Sequence, residues 1–433
     1  MFKLQDYKTN VKTELLAGLT TFLTMVYIVI VNPAILSAAG VPFDQVFTAT
    51  IISAVIATLW MALAANYPIA IAPGMGLNAY FTSIVLGSHG DIDYRIAFAA
   101  VFVAGLIFII LSLTPFRQKL IEAIPTNLKY GISAGIGLFI AFVGLRMSNI
   151  IVSNKTNLIA LGDLRSEGVV LTLIGLLITI VLIALNVNGG LFFGMIITGI
   201  IAYFTGMLKF TKGFVAAPHL PEGLVIGNPI HAIGDVVHYG LYTVVFSFLL
   251  VTIFDTTGTM VGVAQQAGLV KDGKMPRVRQ ALLADAFGTS VGALFGTSPT
   301  TAYIESTSGV AVGGRTGLTS LTVAVLFIVA AFFSPVVGAV SGIAAITSPA
   351  LIIVGSLMMG NVAKMNWSDF DEAFPAFLVI IAMPLTSSIA TGIAVGFISY
   401  PILKIVKGKA KEVHPLVYVF AVLFFYQLAF LAH

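Results

Sequence analysis

The 433-residue sequence contains no cysteine. That excludes disulfides, thiol nucleophiles and cysteine-ligated metal. Charge is scarce as well: 9% of the residues are Asp, Glu, Lys or Arg, against about 25% in soluble domains. Histidine is missing from the middle of every long apolar run. His89, His219, His231 and His238 fall in expected loops, and His414 and His433 flank the last run. Their spacing fits no metal site, and neither metal nor cofactor is expected. What is present is apolar: 58% of the residues are hydrophobic, in continuous runs. Such runs exclude a membrane barrel, whose strands alternate polar and apolar residues. In hydrocarbon each backbone group must bond within its own helix. The expected fold class is therefore an all-α polytopic membrane protein surrounded by lipid. The formal charge of +4 comes from scattered Lys and Arg with no aromatic interleaving, so nucleic acid is not an expected partner.

Apolar spans are expected near 15–36, 45–66, 67–87, 95–115, 125–147, 168–187, 189–208, 241–264, 278–296, 297–314, 316–337, 340–361, 372–386 and 387–406. A further run covers 414–432, and the sequence leaves open whether it crosses the membrane or lies at its surface. The first run exceeds the roughly 7–15 residues of a signal-peptide core. The mixed-charge stretch KLQDYKTNVKTE before it reads as a cytosolic tail. Four basic clusters fall on one side of a 14-span count. They are Lys3, Lys8 and Lys12; Arg117, Lys119 and Lys129; Lys271, Lys274, Arg277 and Arg279; and Lys404, Lys407, Lys409 and Lys411. By the positive-inside rule that side is cytoplasmic. The expectation is a multi-pass protein of the cell membrane with its N-terminus inside.

Repetition is visible at one offset. The third span opens at Pro73 with PGMGLNAYF, and the tenth at Pro299 with PTTAYIEST. The seventh carries GMIITGIIAY and the fourteenth GIAVGFISY. Both pairs are seven spans apart. Seven is odd, so the halves would lie inverted in the membrane. Interrupted segments at matching positions of inverted halves point to a transporter's midplane site. Small residues that merely pack helices are the alternative.

Few ionisable groups fall inside the spans. Asp255 is in the eighth, Asp285 in the ninth and Glu305 in the tenth. A mid-membrane Asp costs roughly 2.5–3.5 kcal/mol on insertion scales, which makes each a functional candidate. Asp255 has the alternative role of capping a helix restarting at Thr256. Asp285 has that of bonding a neighbouring helix. Glu305 lies six residues after Pro299, and Asn78 five after Pro73, so the two are near-equivalent in their halves.

Three long stretches, FDTTGTMVGVAQQAGL (254–269), ADAFGTSVGALFGTSPTTAYIESTSGVAVGGRTGL (284–318) and ANYPIAIAPGMGLNAYF (65–81), resemble the AzgA-like purine permeases. These form the hypoxanthine, guanine and adenine branch of the nucleobase permeases. The resemblance extends over essentially the whole chain, including PLTSSIATGIAVGFISY (384–400). It implies the uracil-transporter fold: two inverted seven-span repeats, a core and a gate, and short strands in the broken third and tenth spans. The implied division is core 1–116, gate 117–239, core 240–338 and gate 339–433, the last with an extra C-terminal helix. By the same resemblance Asp255 and Glu305 match two substrate-binding acids, and Asn78 a third-span polar position. Tyr303 matches an aromatic beside the base. Gly76 and Phe254 complete the expected binding set, with Asp285 and Thr259 as supporting residues. Thr259 stands where the uracil branch has a histidine linked to proton coupling, which puts histidine-mediated coupling in doubt here.

The chemistry of the residues agrees. Purines present ring N–H donors, which carboxylates accept at about 1.5–3 kcal/mol each. Free amides at half-helix N-termini would meet a purine carbonyl, and Tyr303 or Phe254 would cover the ring face. Two acids sharing one buried site cannot both ionise cheaply, so Asp255 and Glu305 are the expected proton carriers. The expected function is purine import by proton symport with an elevator-type movement. Another nucleobase or a small anion is the alternative cargo, although the site holds acids and no mid-span Lys or Arg. An intramembrane aspartyl protease using Asp255 and Asp285 is the alternative of another class, but it lacks the GxGD stretch. The sequence leaves sodium open as the coupling ion, and leaves open a homodimer.

Overall fold

Asn10 starts the first helix: its side chain accepts the Thr13 amide at 3.0 Å, and α1 (Val11–Met25) follows. The apolar run continues, but the helix does not. It is interrupted at Val26 and Tyr27 and resumes as α2 (Ile28–Ser37), which contains Pro33. That proline supplies no amide to the turn before it. The computed structural model describes residues 2–88, 90–114, 123–154, 156–211, 213–270 and 275–431. His89, Arg117, Lys119, Lys271, Lys274 and His433 lie outside them.

The next helix, α3 (Phe43–Trp60), ends through a π-type turn, Met61–Ala65. Asn66 stops it in the left-handed conformation at φ 53°, a region Asn tolerates better than most residues. Strand β1 (Ile71–Pro73) and α4 (Met75–Gly87) follow, then α5 (Tyr94–Leu113) and α6 (Thr126–Met147). Beyond them lie the hairpin β2 (Ile151–Asn154) and β3 (Leu158–Leu161), α7 (Glu167–Ala184) and α8 (Gly190–Phe204). Helices α9 (Pro229–His238), α10 (Tyr242–Gln266) and α11 (Val278–Phe295) lead to β4 (Thr300–Ala302) and the short α12 (Ser306–Val312). The chain closes with α13 (Gly317–Ala330), α14 (Ser334–Ser341), α15 (Ala344–Met359), α16 (Phe370–Thr386), α17 (Ile389–Val406) and α18 (Pro415–Tyr426).

The protein is mostly helical, and nine helical segments among the described residues are long and apolar enough to cross a membrane. Three details differ from the sequence reading. His231 and His238 are helical, in α9, because Asn228 caps that helix and Pro229 fills its first turn. The β2–β3 hairpin pairs Ile151 with Leu161 and Asn154 with Leu158 where no strand was expected. Helix α10 runs unbroken through Asp255, so that residue does not cap a restarting helix.

The helices pack in two sets. In one, α11 lies against α3 and α5, and α13 against α1 and α3. In the other, α6 lies against α15 and α16, α7 against α8, and α16 against α17. Glycines allow the close approach within the second set. A Cβ on Gly131 would come within 3.1 Å of Ala376, and one on Gly144 within 2.9 Å of Leu351. Small residues at helix contacts suit a membrane, where dispersion rather than the hydrophobic effect holds helices together. Within the first set, Glu14 of α1 is fully buried and caps α13. It accepts the amides of Arg315 at 2.9 Å and Thr319 at 3.2 Å, and the Thr319 hydroxyl at 2.6 Å. A carboxylate at a helix N-terminus also meets the positive end of the helix dipole.

Candidate functional site

Strands β1 and β4 pair antiparallel, with Ile71 opposite Ala302, Ala72 opposite Thr301 and Pro73 opposite Thr300. The pairing is extended by the Tyr303 amide to the Ala70 carbonyl at 3.0 Å, and by the Gly74 amide to the Pro299 carbonyl at 2.9 Å. Each strand is only three residues long, and each then turns into a half-length helix: α4 after Gly74 and α12 after Glu305. The two helix ends are thereby held side by side, next to α10, which packs against both β4 and α12.

Glu305 is the N-cap of α12 and is half-buried. Its Oε1 accepts the Tyr27 hydroxyl at 2.6 Å. Its carbonyl accepts the Thr24 hydroxyl at 3.4 Å. Tyr27 is 1% exposed and sits at the interruption between α1 and α2, so a third broken segment converges here. Sequence reasoning missed it; the available signal was a lone tyrosine shortly before Pro33 in an otherwise aliphatic run. Asp255 is half-buried on α10, beside the Thr301 hydroxyl and within electrostatic reach of Glu305. Tyr303 lies within reach of both acids. Its hydroxyl donates to the Pro73 carbonyl at 2.6 Å, which uses its one donor and leaves the ring face and the oxygen's acceptor capacity for a ligand.

The donors are unequal at the two helix ends. At α12 the amides of Ser306, Thr307 and Ser308 already bond the carbonyls of Tyr303, Ile304 and Glu305. At α4 no side chain caps the helix, and the amides of Met75, Gly76 and Leu77 have no acceptor among the described residues. An uncapped helix N-terminus offers such amides to an electron-rich group. The free donors expected at both half-helix ends are thus present at one.

The remaining expected site residues are spread around this centre. Asn78 is fully buried; its Oδ1 accepts the Ser298 hydroxyl, while its Nδ2 has no protein partner. It therefore ties α4 to the chain entering β4, with no hydrogen bond to either acid among the described residues. A Cβ on Gly76 would collide with Ile136, so that glycine admits α6 against α4. Thr259 is half-buried on α10, one turn beyond Asp255. The Phe254 side chain lies outside the described residues. Asp285 is fully buried on α11 and accepts hydroxyls from Thr256 at 2.6 Å and Thr300 at 2.9 Å. Those threonines adjoin Asp255 and Thr301, so Asp285 stands behind the site and joins α10, α11 and β4.

Comparison with known proteins fits this geometry. Residues 12–395 match the Xan_ur_permease group, a permease family. The chain belongs to that family. The permease is 70% identical over 429 residues to the guanine/hypoxanthine permease PbuO of Bacillus subtilis, covering 99% of each chain. It is 46% identical to the guanine/hypoxanthine permease PbuG of the same organism, covering 99% of each. With the adenine permease AdeP of Escherichia coli it shares 41% identity over 100% of this chain and 96% of the relative. Among solved structures it resembles the transmembrane domain of the cyanobacterial bicarbonate transporter BicA, with a TM-score of 0.63 and 18% identity over 88% of this chain and 97% of that one. SLC26A9 gives a TM-score of 0.67 and 14% identity over 94% of this chain and 66% of that one. At such identities the likeness carries the fold alone. A multi-pass permease is a transporter and not an enzyme, and the protease alternative falls away.

Proposed function

We propose that this permease imports purine nucleobases, namely hypoxanthine, guanine or adenine, by proton symport. The observation that carries the reading is the convergence around β1 and β4. Asp255, Glu305 and the Tyr303 ring lie there, and the unbonded amides of Met75, Gly76 and Leu77 open the adjoining helix. Carboxylate oxygens accept purine N–H groups, and the helix-end amides donate to a ring carbonyl or nitrogen. The names of the similar permeases support the same cargo. A site built to bond polar edges rejects analogues that leave its groups unpaired.

In this reading residues 1–116 and 240–338 form a moving core, and 117–239 and 339–433 a gate, in two inverted seven-span repeats. The protein sits in the cell membrane with its N-terminus in the cytoplasm. Asp255 and Glu305 together carry the proton: with one proton bound the pair holds one negative charge instead of two, which eases passage of the loaded core past the apolar gate, and releasing the proton inside frees the base. Asn78, through its unpaired Nδ2, orients the ring from α4.

The test is uptake of labelled hypoxanthine into proteoliposomes under an imposed pH gradient, in potassium and in sodium buffers, with unlabelled purines and pyrimidines as competitors. Concentrative uptake driven by the pH gradient alone and blocked by purines is expected. Uptake that follows sodium, or is blocked only by pyrimidines, would overturn the ion or the cargo. Asp255→Asn is expected to abolish concentrative uptake while leaving some exchange of labelled for unlabelled base. Undiminished accumulation in that variant would move the proton elsewhere.

A further inference from the structure

A cavity of about 710 Å³ opens between α8 and the face made by α1, α2, α13 and α14. That is within the range of roughly 300–1,000 Å³ that ligand pockets span, yet it lies apart from the acids. Apart from the Tyr203 hydroxyl, the side chains lining it are apolar. Val26, within the interruption that carries Tyr27 to Glu305, and Val29, just after it, form part of the lining. Phe204 and Phe214 line it too and remain 82% and 63% exposed.

The segment after α8 runs across one end of this groove. Leu208, Phe210 and Phe214 line it, and the Ala216 amide bonds the Phe332 carbonyl at 2.9 Å, which ties the segment to the end of α13. Lys209, between two lining residues, is exposed and makes no ion pair among the described residues. Residues 168–221 contain no Asp or Glu, so nothing in that stretch offsets the charge. An apolar groove beside one exposed cation, in a protein surrounded by lipid, matches an amphiphile with a hydrocarbon tail and a negative head.

We propose that this groove holds an acyl chain of an anionic phospholipid, with its headgroup at Lys209. The chain would lie between α8 and α1, elements assigned above to gate and core. A lipid that fits one arrangement of those elements better than another shifts their balance. The site would therefore couple transport rate to the anionic lipid content of the membrane.

Binding can be read without reference to the cargo. The full chain is extracted from membranes containing phosphatidylglycerol and phosphatidylethanolamine, and its mass is measured with bound lipid retained. One phosphatidylglycerol adduct is expected on the wild type. Gly199→Leu fills the groove from α8, where a Cβ meets only Ile346 at 3.8 Å and Leu208 at 4.0 Å. Val329→Trp fills it from α13. Both variants are expected to lose the adduct while keeping the wild-type melting temperature, and Lys209→Glu to lose the preference for phosphatidylglycerol. If Gly199→Leu folds poorly, Val329→Trp decides. No wild-type adduct, an adduct that survives both fillings, or equal retention of the two lipids would overturn the proposal. So would a change in oligomer mass in the filled variants, which would assign the groove to a second copy of the chain.

Discussion

Tyr27 and Glu305 are 278 residues apart in the chain and meet at 2.6 Å. With that hydroxyl in place, one oxygen of the carboxylate is already bonded and oriented. Removing a hydrogen bond to a charged group costs about 1.5–3 kcal/mol, or roughly ten- to a hundred-fold in affinity. Tyr27→Phe should weaken purine binding by that factor at normal protein abundance. It should also alter the pH profile of uptake, since a group facing Glu305 is gone. An unchanged profile and affinity would return Tyr27 to a packing role. Glu305→Gln should be more severe, because it replaces an acceptor oxygen by a donor; wild-type affinity in that variant would remove Glu305 from the site. The acids were legible because a carboxylate in an apolar span is conspicuous. Tyr27 was not, because in the run TMVYIVIVNP its ring passes for one more apolar residue. Only the fold reveals that the helix is interrupted there.

Asp285 acts between elements rather than on a ligand. Its two oxygens accept the hydroxyls of Thr256 on α10 and Thr300 on β4, so one side chain fixes the spacing of three elements around Asp255. Asp285→Asn keeps the shape but sets an amide donor against a hydroxyl. A lower melting temperature and reduced uptake are expected together. Combining it with Thr256→Val should cost less than the sum of the single changes, since both remove the same bond. Strict additivity in a double-mutant cycle would exclude that account. At this scale the sequence showed where elements break better than what replaces them. Pro73 and Pro299 marked the interrupted segments, and the strands lie on either side of those marks, β1 ending at Pro73 and β4 beginning at Thr300. The β2–β3 hairpin left no such mark: Leu158 and Leu161 point to the surface, and a four-residue apolar run cannot be told from a loop flanking a membrane helix. The fate of Gly76 was illegible for a related reason. A glycine in PGMGLNAYF suits close approach by a ligand or by a helix equally, and Ile136, 60 residues away in the chain, decides for the helix.

At the scale of the whole molecule, one packing set is fastened by a cluster of ion pairs centred on Lys404. Lys404, 5% exposed, pairs with Asp371 at 3.1 Å, Glu372 at 2.8 Å and Glu412 at 3.0 Å, closing α16, α17 and the lead into α18 on one another. The Lys407 ammonium at 2.5 Å holds the Asp371 carboxyl well below the usual carboxylate range. Because the folded value is the lower one, this stabilisation is complete above about pH 4, the ordinary aspartate value, and is lost as the pH falls below it. Asp371→Asn should lower the melting temperature at neutral pH and flatten its fall in acid; an unaltered acid limb would show that other carboxylates control it. In the division proposed above, core and gate meet at the Arg95–Glu222 pair, 3.3 Å apart, and where α1 passes α8 at Leu23 and Gly189. A Cβ on Gly189 would lie 3.4 Å from that of Leu23, close to the roughly 3.5–4.5 Å of disulfides. The chain's lack of cysteine allows a clean test with Leu23→Cys and Gly189→Cys together. The φ of +79° at Gly189 adds strain of about 1–2 kcal/mol to the second change, and its Cβ would press on the Leu23 carbonyl oxygen at 2.9 Å, so each single variant serves as its control. If core and gate slide past each other, oxidation should join the pair, stop purine uptake without releasing bound base, and be reversed by a reductant. Full uptake by completely cross-linked protein would mean that α1 and α8 keep one relation throughout the cycle, and the sliding mechanism would have to be abandoned for one in which access changes within a fixed frame.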